Sequence, residues 1–169
     1  MESIYGEHLP KLYNVKDYVV NEIENLRSHL TYIGGIDPVE HVLARIKSEE
    51  SMREKCRRKG LAETTENAIN VITDAIGIRV VCAFVDDVFT IRDSLCKLGD
   101  VEVIEEKDYI RHAKPNGYRS YHMILKVKGY YTEIQLRTIS MDTWAALEHH
   151  IRYKKSINAN MDLLFEELK

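Results

Sequence analysis

The chain has 169 residues, of which 44% are hydrophobic and 30% are charged, and its formal net charge is −3. These values are typical of a single globular domain and exclude a disordered or fibrous protein. The longest apolar runs fall far short of the ~18 residues that cross a membrane, and the acidic balance gives no support to bulk binding of RNA or of anionic membranes.

The first part of the chain is predicted to be helical. Four helices are expected from apolar residues spaced three and four apart and from residues that begin or end helices. They cover residues 11–30, a segment that starts at Asp37, residues 48–59 and residues 65–72. Asp37 would cap the second of these helices, and Pro38 would occupy its first turn. We therefore expect residues 1–44 to form N-terminal helices.

The second part of the chain combines strands with helices. A nearly continuous β-branched and apolar run predicts a buried, central strand over residues 78–84. The other predicted elements are a helix that begins at Asp86, a strand over residues 101–106, a hairpin of strands 119–128 and 131–137, and helices over residues 140–155 and 162–168. This order predicts one α+β domain with a core at residues 45–155 and a short helical end at residues 156–169.

Residues 45–59 form a basic segment in an otherwise acidic chain. Seven lysines and arginines stand against three glutamates there, which gives a local charge of +4. On a helix, Lys47, Ser51 and Lys55 would lie four residues apart on one face, along which a polyphosphate would fit. The alternative is an ordinary solvated helix surface, because runs of charge usually face water.

Asp74 and Arg79 flank the start of the predicted central strand. An arginine inside a buried strand is costly unless it is paired or belongs to a site. An ion pair between Asp74 and Arg79 is therefore the structural alternative to a functional role.

The sequence Pro-Asn-Gly predicts a turn, and polar and aromatic side chains surround it. They are Lys107, Lys114, Asn116, Tyr118 and His122. Such a turn is common in itself. An aromatic ring that converges with lysines and a histidine nevertheless suits a nucleotide.

The last predicted strand places Glu133, Gln135 and Arg137 on one face. This face is either exposed to solvent or lines a cleft together with His122 of the paired strand. The chain contains neither of the glycine-rich phosphate-binding loops, so side chains would have to hold any phosphate. Asp74 and Glu133, among many lysines and arginines, suit metal-assisted phosphoryl transfer.

Five motifs taken together resemble the synthetase domain of the RelA/SpoT family. They occur in the order and spacing of that family and extend over about residues 45–155. The motifs are RIKSEESMREK, DAIGIR, EKDYI, KPNGYRSYH and EIQLRT. The metal-binding signature of the family's hydrolase domain is not found in the sequence, so the chain is most similar to the stand-alone small alarmone synthetases.

The resemblance implies a nucleotidyltransferase-like mixed sheet of about five strands, flanked by helices. It also implies transfer of the β,γ-pyrophosphate of ATP to the 3′-hydroxyl of GDP or GTP, which makes the alarmones ppGpp or pppGpp and AMP. Relatives that modify adenine nucleotides or the 3′ end of tRNA leave the acceptor open. An inactive nucleotide- or RNA-binding module is the non-enzymatic alternative.

The resemblance also assigns roles to individual residues. ATP would be bound by Arg45, Lys47, Ser51, Lys55 and Arg79, with the two arginines stacked on the adenine. GDP or GTP would be bound by Lys107, Lys114, Asn116, Tyr118, His122 and Gln135, with the tyrosine stacked on the guanine. Asp74 and Glu133 would bind Mg²⁺, and Glu133 would also take the proton from the 3′-hydroxyl.

Location and assembly complete the expectations. The three cysteines are odd in number and widely spaced, which indicates reduced thiols and a cytoplasmic protein. The resemblance implies a homo-oligomer, a tetramer in the family, in which a longer C-terminal helix takes part. The short turn at residues 128–130 and the few residues after Ile157 leave assembly and regulation open.

Overall fold

A computed structural model describes residues 2–154. The helices are α1 (Leu9–Gly34), α2 (Glu49–Arg58), α3 (Val85–Cys96) and α4 (Ile139–Lys154), and the strands are β1 (Val39–Ile46), β2 (Ile76–Cys82), β3 (Val101–Asp108), β4 (Tyr121–Val127) and β5 (Tyr130–Thr138). A 3₁₀ turn at Gly6–His8 precedes α1, and a π-helical turn at Asn67–Val71 precedes β2. The helix predicted over residues 162–168 lies outside the described residues.

The strands form one mixed sheet in the order β1-β2-β5-β4-β3. The β2–β5 pair is parallel, and the other three pairs are antiparallel. The expected α+β fold with a five-stranded mixed sheet is therefore confirmed. No helix within residues 2–154 has an apolar stretch long enough to span a bilayer.

Helix α1 covers one face of the sheet and confirms the N-terminal helix predicted from residue spacing. Its buried side chains are Leu12, Val15, Val19 and Ile23, three or four residues apart. Helices α1 and α3 contact each other and both contact β2 and β5, so they cover the same face. The opposite face of these strands is left for polar side chains.

The helix predicted from Asp37 is wrong, because the chain forms β1 there. The Asp37 carboxylate accepts hydrogen bonds from Arg27 and, at 3.0 Å, from the backbone N–H of Val39. These bonds close a turn after α1 and do not begin a helix. The residues that follow pair with β2 from Val39 to Ile46, and this long-range pairing outweighs the local helix signal.

Strand β5 lies in the centre of the sheet and has two different faces. Ile134 and Leu136 are fully buried in the core, whereas Glu133, Gln135 and Arg137 lie on the other face. The predicted β4–β5 hairpin is confirmed, and its turn has positive φ angles at Lys128 (50°) and Gly129 (85°). Because β5 pairs with both β2 and β4, its polar face meets residues from each of them.

Candidate active site

The two predicted metal-binding carboxylates lie near the same end of the neighbouring strands β2 and β5. Asp74 lies in the loop before β2, and Glu133 lies on β5 opposite Gly77 of β2. Burial and the negative charge of Asp74 raise the pKa of Glu133, against the opposing effects of Lys55 and Lys47. The two acids thus share one electrostatic environment, which a cation would stabilise.

Asp74 is held by two lysines. Its Oδ2 atom contacts the Nζ atom of Lys47 at 3.3 Å and also the Nζ atom of Lys55. Burial alone would raise the pKa of Asp74, but these lysines outweigh burial and lower it. The Oδ1 atom is buried and has no hydrogen-bond partner within residues 2–154. Such an atom is suited to coordinate a ligand that binds later.

Lys47 reaches Asp74 from the end of β1 and not from a helix. Helix α2 begins after Ser48, whose Oγ atom accepts a hydrogen bond from the N–H of Ser51 at 3.3 Å. The predicted single helical face of Lys47, Ser51 and Lys55 is therefore wrong for Lys47. The backbone of Lys47 is fixed instead, since its N–H donates to the Ala75 carbonyl and its own carbonyl accepts from the Tyr5 hydroxyl.

A first cavity of about 370 Å³ lies over β1, β2 and β5. Arg45 and Arg79 line it, together with Glu133 and Gln135. In the β1–β2 register Arg45 lies opposite Gly77, two residues before Arg79, so the two arginines share one face of the sheet. The structure thus brings the two predicted adenine-stacking residues to the same cleft.

Arg79 and Asp74 do not form the ion pair that the sequence left open. The Nη1 atom of Arg79 lies 3.4 Å from Oδ1 of Asp142, at the start of α4, while Asp74 bonds to lysines. Burial and the nearby Arg137 lower the pKa of Arg79, and Asp142 opposes them. Arg79 therefore pairs with an acid of α4 and lines the first cavity.

The Pro-Asn-Gly turn places Lys114 beside Tyr118. The N–H of Lys114 donates to the Tyr118 carbonyl at 3.0 Å, and Oδ1 of Asn116 accepts from the Tyr118 N–H at 3.1 Å. Gly117 takes a φ of +88°, which glycine adopts without strain. The Nζ atom of Lys114 lies 5.1 Å from the centre of the Tyr118 ring. Asn116 here serves the turn that presents the tyrosine.

A second cavity of about 390 Å³ lies between this turn and α4. Tyr118 and Arg137 line it with Glu148 and His149, and Arg79 lines both cavities. The Tyr118 ring meets the rings of His122 and Trp144 edge-on. The predicted guanine-stacking residue therefore faces a cavity that Arg79 separates from the first one.

A chain of hydrogen bonds runs from Arg137 toward Glu133. The Nη2 atom of Arg137 donates to the Tyr118 hydroxyl at 2.7 Å, and this hydroxyl lies 2.8 Å from Nε2 of His122. Burial, with Arg137, Lys114 and Lys107 adding to it, lowers the pKa of His122 to about 4, so the ring is neutral at pH 7. Because Arg137 can only donate, the hydroxyl proton is available to Nε2. The histidine N–H is then on Nδ1, which lies 4.0 Å from the Glu133 carboxylate.

Two of the predicted residues are at the edge of this arrangement. Lys107 lies opposite His122 in the β3–β4 register, but its exposed Nζ atom contacts Glu105 at 3.2 Å. Ser51 is exposed and hydrogen-bonds to the Ser48 hydroxyl at 2.8 Å. Both would have to turn toward a bound nucleotide.

The sequence predicts no role for two residues that line or adjoin these cavities. It indicates only that Arg137 shares the polar face of the last strand, and it indicates nothing for Asp142. The available signal was a second arginine in a strand otherwise buried, followed five residues later by an acid in the first turn of a helix. The strand arginine needs a partner, and the acid is in reach.

The mixed sheet of five strands flanked by helices defines a protein of nucleotidyltransferase-like fold, and two carboxylates lie among lysines and arginines at one end of the sheet. Residues 44–158 match the family model described as a region found in RelA / SpoT proteins. The chain belongs to the RelA/SpoT family.

Relatives of known name and structure agree with this assignment. The chain is 41% identical over 145 residues to GTP pyrophosphokinase YwaC of Bacillus subtilis, which covers 81% of this chain and 69% of YwaC. It is similar to the structure of small alarmone synthetase 1 from Bacillus subtilis bound to its product pppGpp, with 30% identity, a TM-score of 0.81 and coverage of 95% of this chain and 86% of that one. The same synthetase bound to AMPCPP gives 27% identity, a TM-score of 0.75 and coverage of 95% and 85%.

Proposed function

We propose that this chain is a GTP pyrophosphokinase that transfers the β,γ-pyrophosphate of ATP to the 3′-hydroxyl of GDP or GTP. The products are ppGpp or pppGpp and AMP. The observation that carries the proposal is that Asp74, which two lysines hold, lies close enough to Glu133 to raise its pKa, beside a cleft that Arg79 lines together with a second cavity. The name of YwaC and the nucleotides bound to small alarmone synthetase 1 support the same reaction.

ATP occupies the first cavity in this proposal. Arg45 and Arg79 stack on the two faces of the adenine, for which planar guanidinium groups are well suited. When ATP binds, Lys47 and Lys55 leave the Asp74 carboxylate and contact the phosphates. Ser51, at the start of α2, adds a hydroxyl donor. The lysines are already in reach, because both contact the carboxylate beside the cleft.

Magnesium is the metal that this site fits. Asp74 and Glu133 supply two carboxylates, and the buried, unpartnered Oδ1 atom of Asp74 is a suitable ligand atom. Within the described residues no group of three or more His, Cys, Asp or Glu side chains could hold a metal. Mg²⁺ commonly takes one or two carboxylates and completes its shell with phosphate oxygens and water. The bound ion would neutralise charge on the phosphates.

The guanine nucleotide occupies the second cavity. Tyr118 stacks on the base beside Asn116, while Lys114 and Lys107 neutralise phosphates. The ribose lies between His122, Gln135 and Glu133. A 3′-hydroxyl that bridges the His122 Nδ1–H and the Glu133 carboxylate would accept one hydrogen bond and donate the other.

Glu133 acts as the general base. Burial and Asp74 raise its pKa in the absence of metal, and a bound Mg²⁺ would oppose this rise and keep the carboxylate ionised at neutral pH, ready to accept a proton. As the 3′-oxygen forms its bond to the β-phosphorus, its proton passes to Glu133. The bond from the β-phosphorus to the oxygen of the α-phosphate breaks, and AMP leaves with the electron pair. Holding both nucleotides in line removes much of the entropy cost of the encounter.

The test is incubation of the protein with ATP, GDP or GTP, and Mg²⁺, followed by anion-exchange chromatography. We expect AMP and a 3′-pyrophosphorylated guanosine nucleotide in equal amounts. Glu133→Gln should lower the rate by about 10²- to 10⁴-fold, as expected for loss of a general base, with nucleotide affinities kept within a few-fold. Glu102→Gln, which changes an exposed glutamate of β3, is the matched control. Full activity of the Glu133→Gln variant would refute the assigned base, and a folded wild-type protein that forms no product would refute the reaction.

Location and assembly stay predictions. All three cysteines lie within the described residues and none is in a disulfide, which agrees with reduced thiols. A cytoplasmic location and a homo-oligomer, tetrameric by family resemblance, complete the proposal. Light scattering coupled to size-exclusion chromatography measures the oligomeric state directly.

A further inference from the structure

Arg137 is a buried cation, and each of its three guanidinium nitrogens donates a hydrogen bond. The residue is 5% exposed. Its Nε atom donates to the Ser120 hydroxyl at 3.3 Å and its Nη1 atom to Oδ1 of Asp142 at 3.1 Å. Its Nη2 atom donates both to the Tyr118 hydroxyl at 2.7 Å and to Oε1 of Gln135 at 3.1 Å. The direction of these bonds fixes the orientation of two residues of the acceptor site.

Tyr118 and Gln135 both connect Arg137 with the surroundings of Glu133, the proposed base. Tyr118 is linked to His122, whose Nδ1 atom lies 4.0 Å from the Glu133 carboxylate. Gln135 also acts on Glu133, because its side chain lowers the pKa of that carboxyl against the effects of burial and Asp74. With its oxygen engaged by Arg137, the amide of Gln135 presents its NH₂ group to Glu133. The position of Arg137 therefore determines the orientation of two groups near Glu133, the His122 ring and the Gln135 amide.

Asp142 joins Arg137 to the donor cleft. Its Oδ1 atom is shared by Nη1 of Arg137 at 3.1 Å and Nη1 of Arg79 at 3.4 Å. Asp142 lies in the first turn of α4, directly after β5, so the sheet and the helix both restrain it. The two arginines have like charges on neighbouring strands, and the pKa of Arg79 is lowered in part by Arg137. The shared carboxylate is what makes their proximity stable.

We propose that Asp142 is a positioning residue that couples the donor cleft to the acceptor cavity by tying Arg79 to Arg137. This proposal rests on the proposed function. A donor nucleotide that holds Arg79 also holds the Asp142 carboxylate, and through it Arg137, Tyr118 and Gln135. The acceptor then has fewer side chains to order when it binds, so each nucleotide strengthens the binding of the other.

The test measures this coupling by calorimetry on the full chain. The dissociation constant of GDP is determined with Mg²⁺ alone, and again with Mg²⁺ and a saturating ATP analogue whose α,β-bridge is a methylene group. For the wild-type protein we expect GDP affinity to increase by at least about fivefold with the analogue, the lower end of common coupling factors. A uniform loss of GDP affinity cancels from this ratio, so a merely structural defect does not change it.

Three variants of Asp142 locate the effect. Asp142→Asn and a second neutral variant, Asp142→Ser, should reduce the ratio to less than about twofold, because a neutral side chain no longer holds two guanidinium groups. Asp142→Glu keeps the charge and should retain most of the coupling. Asp86→Asn removes an exposed acid from the first turn of α3 and should leave the wild-type ratio unchanged.

The outcomes separate the two proposals. If the wild-type protein binds both nucleotides with a ratio near one, or if both neutral variants keep the wild-type ratio, the coupling role is refuted while the proposed function stands. If the folded wild-type protein binds neither nucleotide, the proposed function itself is refuted. Circular dichroism confirms the folded state of each variant before titration.

Discussion

Glu133 is placed where its charge is unfavourable in the resting protein. Burial and the nearby Asp74 raise its pKa, and the lysines that could neutralise it contact Asp74 instead. The protein therefore keeps a poorly neutralised carboxylate at the point where the proposed reaction takes up a proton. In that reaction such a group favours catalysis at the expense of stability.

This arrangement predicts a pH-dependent gain in stability for Glu133→Gln. A carboxyl whose pKa is raised in the folded state stabilises the protein at low pH, and that stabilisation is lost as the pH rises through the folded-state pKa. Without nucleotide or Mg²⁺, the variant should therefore have a higher Tm than the wild type at pH 7.5. The difference should shrink as the pH falls toward the ordinary glutamate pKa of 4.5.

Differential scanning fluorimetry across this pH range measures the effect. Glu102→Gln, at an exposed position of β3, serves as control and should show no such trend. A lower Tm for Glu133→Gln at pH 7.5 would contradict the strained state of this carboxylate.

The sequence predicted which residues lie near one another at the candidate site, but not their partners. The types and spacing of the lysines, of Asp74 and of Glu133 already pointed to phosphoryl transfer. The partner of Arg79 was not evident, because Asp142 is 63 residues away along the chain and no local pattern connects them. The sharing of Asp142 with Arg137 depends on strand pairing and on where α4 begins.

At the scale of elements, the backbone shape of the loop before β4 determines the position of the Tyr118 side chain. The Gly117 N–H donates to the Lys114 carbonyl at 2.8 Å, and Asn116 caps the N–H of Tyr118. With the bond from the Lys114 N–H to the Tyr118 carbonyl, the turn has three internal hydrogen bonds, and Gly117 has a positive φ. The backbone shape of this turn therefore determines that the Tyr118 ring faces the second cavity.

Gly117→Ala should therefore weaken acceptor binding more than donor binding. Alanine at a φ of +88° costs about 1–2 kcal/mol, which shifts the turn away from the shape that presents Tyr118. We expect the KM for GDP or GTP to rise by about tenfold, the factor that such a free energy corresponds to, with the KM for ATP nearly unchanged.

Gly99→Ala is the matched control, since a Cβ atom there meets nothing within 4 Å and φ is not positive. Steady-state kinetics with each substrate varied in turn decides the matter. Equal increases in both KM values would show that the loop does not act on the acceptor alone.

Most elements could be predicted from local patterns, and β1 shows where such patterns fail. The periodicity of α1 and the turn of the β4–β5 hairpin are local features, so they were predicted correctly. Asp37 and Pro38 carry the same residue types as a helix start. Their actual role depends on Arg27 of α1 and on pairing with β2, which lie outside any short window.

At the scale of the whole molecule, β5 connects the hydrophobic core with the candidate active site. Its burial beneath α1 and α3 fixes Ile134 and Leu136, and their neighbours on the same strand bear the polar groups of the site. The order β1-β2-β5-β4-β3 inserts the last strand between earlier ones. This order could not be derived from the sequence pattern, because it is set by contacts between distant segments.

Ile134→Ala should lower the free energy of unfolding by about 2–5 kcal/mol, since the side chain is fully buried and its removal leaves a cavity. Urea unfolding followed by the fluorescence of Trp144, the single tryptophan, measures this change. Ile36→Ala, at a position that is 77% exposed, should change it by less than about 0.5 kcal/mol. Similar effects of the two substitutions would show that β5 does not anchor the core.

The alternating faces of β5 also restrict how the length of the chain can vary. One residue inserted or deleted within this strand would turn the carboxylate, amide and guanidinium of the site into the core and turn isoleucine and leucine out to water. Such a change would remove stability and activity together, whereas the turn at Lys128 and Gly129 could lengthen without altering either face. Length differences among working relatives should therefore concentrate at that tip and avoid the strand.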